Sequence, residues 1–428
     1  MNIWLVTIGE PVPIGIGAND RLHRTGLFAS ILAGRGHRVT WWTSAFDHFR
    51  KRRFGPSGEV PLSPGLVAVL LEGGGYGKNL SLARIWDHQR IAWAFRKAAR
   101  NRPVPDVIVA ALPSLELPIE VVRYARSRKV PVVLDMRDMW PDIFLEAIPR
   151  VLRPVGSLAM APLFLRGRKA CAGATAITGI TEAFVDWGLA RGHRTRTALD
   201  HSFPMGYMSS PPAPERIREA EAFWDSRGLL AGSSGLVAAF VGTVGSRFDF
   251  ASLIGASRLL AQKGLPFRLV LCGIGDRHEQ VAALAKDLSN IYLAGWVDAA
   301  QIYVLLRRSG VGLDPLPDRF DFLASINNKA IEYMSAGLPV ISCPRRGLLF
   351  DLLRDEGCGL SYHNGDERAL AQILEHLARD RAERERLSAN ALRVYRERFV
   401  AETVYARMAE YLNEVVVAHA ASQRGASR

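Results

Sequence analysis

The chain has 428 residues, 48% hydrophobic and 23% charged, the balance of an ordinary globular protein and enough length for two cores. Lys and Arg number 55 against 42 Asp and Glu, a formal net charge of +13 that calls for an anionic partner: nucleic acid, an anionic membrane surface or a phosphorylated substrate. No helix-turn-helix, zinc-finger or RNA-recognition signature occurs, so nucleic acid is set aside. No apolar run reaches the roughly 18 residues of a bilayer span. The four scattered cysteines, Cys171, Cys272, Cys343 and Cys358, lack metal-ligand spacing and suit buried thiols in a reducing cytosol.

In chain order, Asn2–Ile8 (NIWLVTI) reads as a first core strand, with no basic n-region to suggest a signal peptide. A Gly- and Pro-rich loop, GEPVPIGIGAND, leads into a helix expected over Asp20–Ala33. Gly34 and Gly36 close it, and His37–Thr43 is a second strand, completing one βαβ unit. Gly15 and Gly17 stand where such a loop passes a ligand phosphate, although a lone G-x-G also serves as a plain turn. The basic cluster FRKRRF (Phe49–Phe54) reads as a solvated loop. A short strand is expected at Leu66–Leu71. Ser81–Arg100 has helical spacing in Ile85, Ile91, Ala92 and Phe95.

Buried strands at Asp106–Ala110 and Val130–Asp135 flank a helix over Leu117–Arg128, and the second strand ends in MRDMWPD. Ligands of open α/β sheets gather at the carboxyl ends of strands. Asp135, Arg137, Asp138 and Trp140 are therefore candidates to act; the same segment also reads as a strand-end turn around a buried Trp. Leu152–Lys169 carries an apolar stripe beside Arg153, Arg166, Arg168 and Lys169. Such a stripe either packs on its own core or lies on an anionic membrane. After a strand at Ala174–Ile180, the segment His201–Pro214 holds four prolines and marks the domain boundary.

A second α/β series starts at Leu236. LVAAFVG ends in GTVGSR, FRLVLC (Phe267–Cys272) ends in GIGD, and Ile291–Leu293 leads to Gly295-Trp296-Val297. With the helices between them, these strands and Gly310–Leu313 describe a parallel sheet covered on both faces. The series reaches SINNKAIEYMSAGLPVISCP (Ser325–Pro344). Asn327 and Asn328 can cap a helix starting near Lys329, Gly337 suits its left-handed close, and Val340–Cys343 is a strand. Lys329, Glu332 and Tyr333 share one face beside free N–H groups, a place suited to an anion. By itself the Lys329–Glu332 pair also reads as a solvated salt bridge. A charge-rich helical stretch, Glu367–Arg398, and a last amphipathic helix, Phe399–Val417, follow, and the tail is expected to fray.

LVLCGIGDRHEQVAALA, NIYLAGWVDAAQIYVLLRRSGVGLDPL and NNKAIEYMSAGLPVIS occur in this order, behind RLHRTGLFASILAGRGHRVTWWTS and VPVVLDMRDMWPD. Together they resemble the retaining glycosyltransferases of family 4, in the branch that builds bacterial surface polysaccharides. The resemblance spans about Met1–Tyr411 and implies an α/β fold of the GT-B type, with two Rossmann-like domains facing a central cleft. Residues 1–205 would form the acceptor domain, with a helix at 399–417 returning to it. The linker would be 206–215, the donor domain 216–398 and the frayed tail 418–428.

By the same resemblance, Glu332 matches the second Glu of an E-x7-E motif and would hold the ribose of a nucleotide sugar. Arg247 and Lys329 would face the diphosphate or sugar, with Asp138 on the acceptor side or at the reacting sugar. Gly15, Gly17, Gly245, Ser246, Gly273, Gly275, Val297, Asn327 and Asn328 would complete the donor site. Ala324 stands where the first Glu of the motif belongs, a departure shared by surface-polysaccharide members with a similar K-x-x-E-Y core.

The implied reaction moves a sugar, with an N-acetylated hexosamine suggested, from a UDP-sugar to a lipid-linked saccharide. It would run on the cytoplasmic membrane face, with no cofactor, no obligatory metal and no nucleic acid. Anionic lipid would attract the net basic charge, Arg50–Arg53 and the 152–169 stretch. Two readings from other classes stay open: a GT-B enzyme that only isomerises its nucleotide sugar, such as a UDP-sugar 2-epimerase, and a catalytically silent assembly partner.

Overall fold

The computed structural model describes all residues except 16, 17, 19, 80, 147, 209, 230–234 and 426–428. It divides into two units, Met1–Pro204 with Ala401–Arg428, and Met205–Val400.

In the first unit the strands are β1 (Asn2–Val6), β2 (Arg38–Ser44), β3 (Phe46–Asp47), β4 (Arg52–Arg53), β5 (Gly58–Ser63), β6 (Leu66–Leu71), β7 (Val107–Leu112), β8 (Val132–Met136), β9 (Ala176–Gly179) and β10 (His201–Ser202). Eight form one sheet in the order β10-β9-β8-β7-β1-β2-β6-β5, parallel except for the β5–β6 pair. β7 (VIVAAL) and β8 (VVLDM) are buried throughout, as strands covered on both faces must be. An aromatic cluster fills the core beside β1 and β2, with Trp42 at 4.9 Å from Trp4 and 5.0 Å from Phe95 between ring centroids. β3 and β4 pair separately as a small antiparallel hairpin, so the basic cluster at 49–54 is a folded turn.

The helix expected over Asp20–Ala33 starts later, at Arg24, and ends at Gly34. Arg24 is the reason this helix is anchored. Its Nε donates to Asp135 Oδ2 at 2.8 Å and its Nη1 to the Pro204 carbonyl at 2.8 Å. Arg137 Nε donates to the same Asp135 oxygen at 2.6 Å, and Thr178 Oγ1 to the other at 3.0 Å. Arg137 also reaches Glu10, whose carboxylate accepts from Thr25 N and Oγ1 at 2.9 Å each. Asp135 is thus a fully buried charge with its partners in place, a structural role and not the ligand-facing one considered from the sequence.

The segment Leu152–Lys169 is not one stripe on a core. It forms two helices, Arg153–Ala159 and Ala161–Gly173, and apolar side chains of the first face outward: Val155 is 68% exposed and Leu158 77%. The last helix, Ala401–Gly425, packs against Arg24–Gly34, with Phe28 and Tyr405 rings 5.8 Å apart. It runs past Val417 through the segment expected to fray, because an exposed run with good helix formers simply continues the helix.

The second unit contains β11 (Leu236–Val241), β12 (Phe267–Cys272), β13 (Ile291–Gly295), β14 (Val311–Pro315), β15 (Val340–Cys343) and β16 (Gly359–Ser361). All pairings are parallel, in the order β13-β12-β11-β14-β15-β16. That is the doubly wound order with its switch point between β11 and β14. The expected linker at 206–215 is part of this unit: Tyr207 N donates to Phe399 O at 2.9 Å, and a helix begins at Pro214.

Burial alone would raise the Asp135 carboxyl, but Arg24 and Arg137 outweigh it and hold the group below the usual carboxylate range. A carboxyl depressed in the folded state contributes stability that is complete above its unfolded value and lost as pH falls through that value toward the folded one. We expect Asp135→Asn to cost about 3–5 kcal/mol near neutral pH, by leaving the buried Arg24 guanidinium without its anion and Arg137 with Glu10 alone. In urea titrations, the gap between wild type and variant should narrow below about pH 4.

Candidate active site

The second unit assembles its site at the switch point. β11 and β14 pair only at Ala238–Ala239 with Val311–Gly312, then diverge. Their parting leaves main-chain groups that must find partners. Tyr333, fully buried, supplies them: its hydroxyl accepts from Val241 N at 2.9 Å and donates to Leu313 O at 3.2 Å. Gly312 makes room, since a Cβ there would lie 2.2 Å from Tyr333 Cγ. The phenol therefore fixes the helix Asn328–Ser335 across the gap between the two strands.

Asn327 caps that helix, its Oδ1 accepting from Lys329 N at 2.8 Å and Ala330 N at 3.3 Å, and Asn328 opens it. The Asn327 amide donates to Asp314 at the end of β14. Gly337 closes the helix at φ 69°, with Leu338 N donating to Tyr333 O at 2.9 Å, the left-handed end expected from the sequence.

Lys329 then lies over the loop that follows β11. A Cβ on Gly242 would sit 2.4 Å from Lys329 Cε, and the Lys329 ammonium is 4.2 Å from the Phe248 ring centroid. Glu332 is fully buried near Cys272, whose thiol is pushed up by burial and by the Glu332 charge. That burial removes the reading of Lys329 and Glu332 as a solvated surface pair.

The loops after β11 and β12 interlock. Gly242 N donates to Cys272 O at 2.9 Å and Val244 N to Ile274 O at 3.1 Å. A Cβ on Gly273, at φ 130°, would lie 1.7 Å from Gly242 O, and one on Gly275 would lie 2.3 Å from Val244 O. Gly245 is buried, Ser246 and Arg247 are exposed, and Ser246 N donates to Asp276 Oδ1 at 3.1 Å. Val297 packs its side chain into the core, leaving only main chain to offer a ligand.

Six of the residues singled out from the sequence, Gly245, Ser246, Arg247, Asn327, Asn328 and Lys329, thus stand on the two loops flanking the switch point. Gly273, Gly275 and Val297 lie on the adjoining strand ends. Asp314 was missed. It is fully buried with Oδ1 unpaired among the described residues, and burial raises its carboxyl while Lys329 and Asn327 partly offset this. Its signal in the sequence was an acid closing an apolar strand.

The first unit holds the remaining candidates. Asp138 follows β8, half-buried, accepting from Met139 N at 2.8 Å and from the Trp140 indole at 3.1 Å. Gly15, at φ 52°, lets the chain pass the Phe54 carbonyl, where a Cβ would lie 2.5 Å away. Gly17 lies outside the described residues. His23 was also missed: burial, Arg21 and Arg137 push its imidazole down to about 3, so it stays neutral beside Arg137.

Tyr333→Phe tests the clamp. It leaves Val241 N and Leu313 O buried and unpaired, so we expect a loss of about 1–3 kcal/mol in urea unfolding with the fold retained. A variant as stable as wild type would remove the phenol from this role.

Comparison with known proteins bears on the fold and the family. Residues 235–380 match the family described as Glycosyl transferases group 1. No curated protein matches the chain in sequence. Among solved structures, sucrose-phosphate synthase from Thermosynechococcus elongatus superposes with a TM-score of 0.73 at 16% identity, covering 98% of this chain and 100% of that one. HepE from Anabaena, solved with UDP and glucose, gives 0.65 at 15% identity over 97% and 100%. A UDP-forming trehalose-phosphate synthase from Burkholderia xenovorans gives 0.65 at 16% identity over 97% and 99%. The fold is GT-B, residues 235–380 match the glycosyl transferases group 1 family, and together these support a nucleotide-sugar-dependent glycosyltransferase.

Proposed function

We propose that the protein transfers a sugar from a UDP-sugar to a lipid-linked saccharide, with retention at the anomeric carbon, in the manner of family 4 enzymes of surface-polysaccharide assembly. The observation that carries this reading is Lys329, held against Gly242 at the switch point by the capped and clamped helix Asn328–Ser335. There an ammonium and the exposed Arg247 can meet a diphosphate. UDP is favoured because HepE was solved with UDP and a neighbouring synthase is UDP-forming. The surface-polysaccharide branch is favoured by a further structural neighbour, WaaG, described as a glycosyltransferase of lipopolysaccharide biosynthesis (TM-score 0.64, 14% identity).

In this reading the acceptor hydroxyl oxygen bonds to the anomeric carbon on the face from which the diphosphate departs. The carbon–oxygen bond to the diphosphate breaks, and the hydroxyl proton passes to the departing diphosphate oxygen. Positioning and stabilisation of the growing phosphate charge supply the acceleration, and the cations listed above stand in for a divalent metal. Glu332 is the carboxylate assigned to the two ribose hydroxyls. Asn327, bonded to Asp314, accepts from Lys329 N and so helps hold Lys329 in register. Asp138 serves the acceptor side.

The exposed apolar residues at 151–165, with Arg150, Arg168 and Lys169 exposed beside them, fit a peripheral contact with anionic lipid on the cytoplasmic face. Trp86 and Trp93, both exposed on the helix Leu82–Ala99, add interfacial aromatics. Of the basic cluster, Arg50 is taken up by Asp20 and Asp47 and Arg53 by Glu72, which leaves it little charge for a membrane.

A panel of UDP- and GDP-sugars scored by thermal shift tests the donor. A ligand at 100 times its Kd adds about 2.7 kcal/mol. We expect UDP-sugars alone to stabilise the protein, Glu332→Ala to abolish that shift, and Lys329→Met to lower kcat at least about 100-fold. Turnover that survives in Asp138→Asn while Glu332→Ala is dead removes Asp138 from the reaction. A product of inverted anomeric configuration by NMR ends the retaining assignment.

Sedimentation with anionic and neutral vesicles tests the membrane contact. Binding should favour anionic vesicles, weaken with salt and fall in Val155→Asp/Leu158→Asp. Equal, salt-independent binding to both vesicle types contradicts it.

A further inference from the structure

We propose that a pocket in the first unit, between the β3–β4 hairpin and the glycine run Gly73–Gly77, receives a phosphate-bearing saccharide. The proposal rests on the reading of the chain as a transferase to a lipid-linked saccharide and locates the charged part of that acceptor. The pocket holds about 330 Å³ and is lined by Phe46, Lys51, Arg52, Arg53, Tyr76 and the glycines. That volume is near the lower end for small-molecule sites, roughly 300–1,000 Å³, and suits one sugar phosphate better than a nucleotide sugar.

Its charge is not balanced internally. Arg53 is forked onto Glu72, with 2.6 Å between Nη2 and Oε2, and Arg50 is held by Asp20 and Asp47. Among the described residues Lys51 and Arg52 have no carboxylate partner. Lys51 instead donates to Asn79 Oδ1 at 2.5 Å and lies 4.5 Å from the Tyr76 ring centroid. Partial burial and the Arg84 guanidinium outweigh the nearby Asp47 carboxylate and push its ammonium down to about 8. An anion placed between the two cations relieves both.

The remaining walls fit a sugar. Phe46 and Tyr76 stand 5.0 Å apart between ring centroids, and the Tyr76 hydroxyl is 2.5 Å from His48 Nδ1. Gly73 and Gly75 bring bare main chain to the wall: a Cβ at Gly73 would strike Asp87 at 2.2 Å, and Gly75 N donates to the same carboxylate at 2.7 Å. An aromatic–cation ladder joins the pocket to Asp138. Arg84 lies 5.5 Å from the Tyr76 ring and 4.5 Å from the Trp140 ring, and Trp140 donates to Asp138. The residue assigned to the acceptor side and the uncompensated cations thus belong to one continuous packing.

Calorimetry on the full chain tests this, with glucose 1-phosphate as a free sugar phosphate, farnesyl diphosphate as a lipid-borne diphosphate and glucose as the uncharged control. We expect at least one phosphate compound to bind, glucose to bind far more weakly, and Lys51→Gln/Arg52→Gln to weaken binding at least about tenfold. Which compound binds identifies the source of the phosphate. Arg52→Gln, at an exposed position, should alone weaken binding with an unchanged Tm. Failure of both phosphate compounds, equal binding of glucose, or wild-type affinity in the double variant overturns the proposal. UDP titrated in parallel should be unaffected by these substitutions; UDP that fails to bind the wild type defeats the donor reading and leaves the pocket measurements standing.

Discussion

The Tyr333 phenol is the interaction on which the second unit depends. Two parallel strands that part at a switch point expose main-chain donors and acceptors inside a dry core, and each left unpaired costs about 1–3 kcal/mol. One hydroxyl satisfies a group on each strand. Because Tyr333, Glu332 and Lys329 are on the same short helix, the bond that repairs the sheet also orients the residues assigned to the donor. Gly312 and Gly242 complete the arrangement by leaving space for Tyr333 and Lys329, respectively.

The first unit meets the same topological problem differently. At the carboxyl ends of its central strands it buries charge, with Arg24 and Arg137 sharing Asp135, and Glu10 bound to Arg137 and Thr25. Such a network is rigid and self-satisfied, and it leaves no obvious role for a ligand. The cations assigned to ligands lie elsewhere, at Lys51 and Arg52 in the first unit and at Arg247 and Lys329 in the second. The formal +13 of the whole chain therefore says less about partners than does the placement of individual cations at a pocket or strand end.

The exposed apolar residues at 151–165 and on the helix Leu82–Ala99 follow from similar reasoning. A helix face that packs on its own core would bury Val155 and Leu158. Their exposure beside Arg150 and Arg168 leaves an amphipathic surface with a basic rim. Periodicity could identify such a stripe but not the side it faces.

The sequence by itself determined the alternation of strands and helices, the two-domain division, the Asn327 cap and the Gly337 close. These depend on local spacing and on turn residues whose conformational needs are fixed within a few positions. It also pointed to the loops proposed for the donor, since strand ends in a parallel sheet are where ligands bind. Only the tertiary structure decided that Asp135 is a buried counterion, because its partner Arg24 is 111 residues away. It also revealed Asp314 beside Asn327 and Lys329, the burial of Glu332, and the pocket joining residues near 50 to those near 75. Each arises from contacts between segments far apart in the chain, and no local pattern records which segments the sheet order will bring side by side.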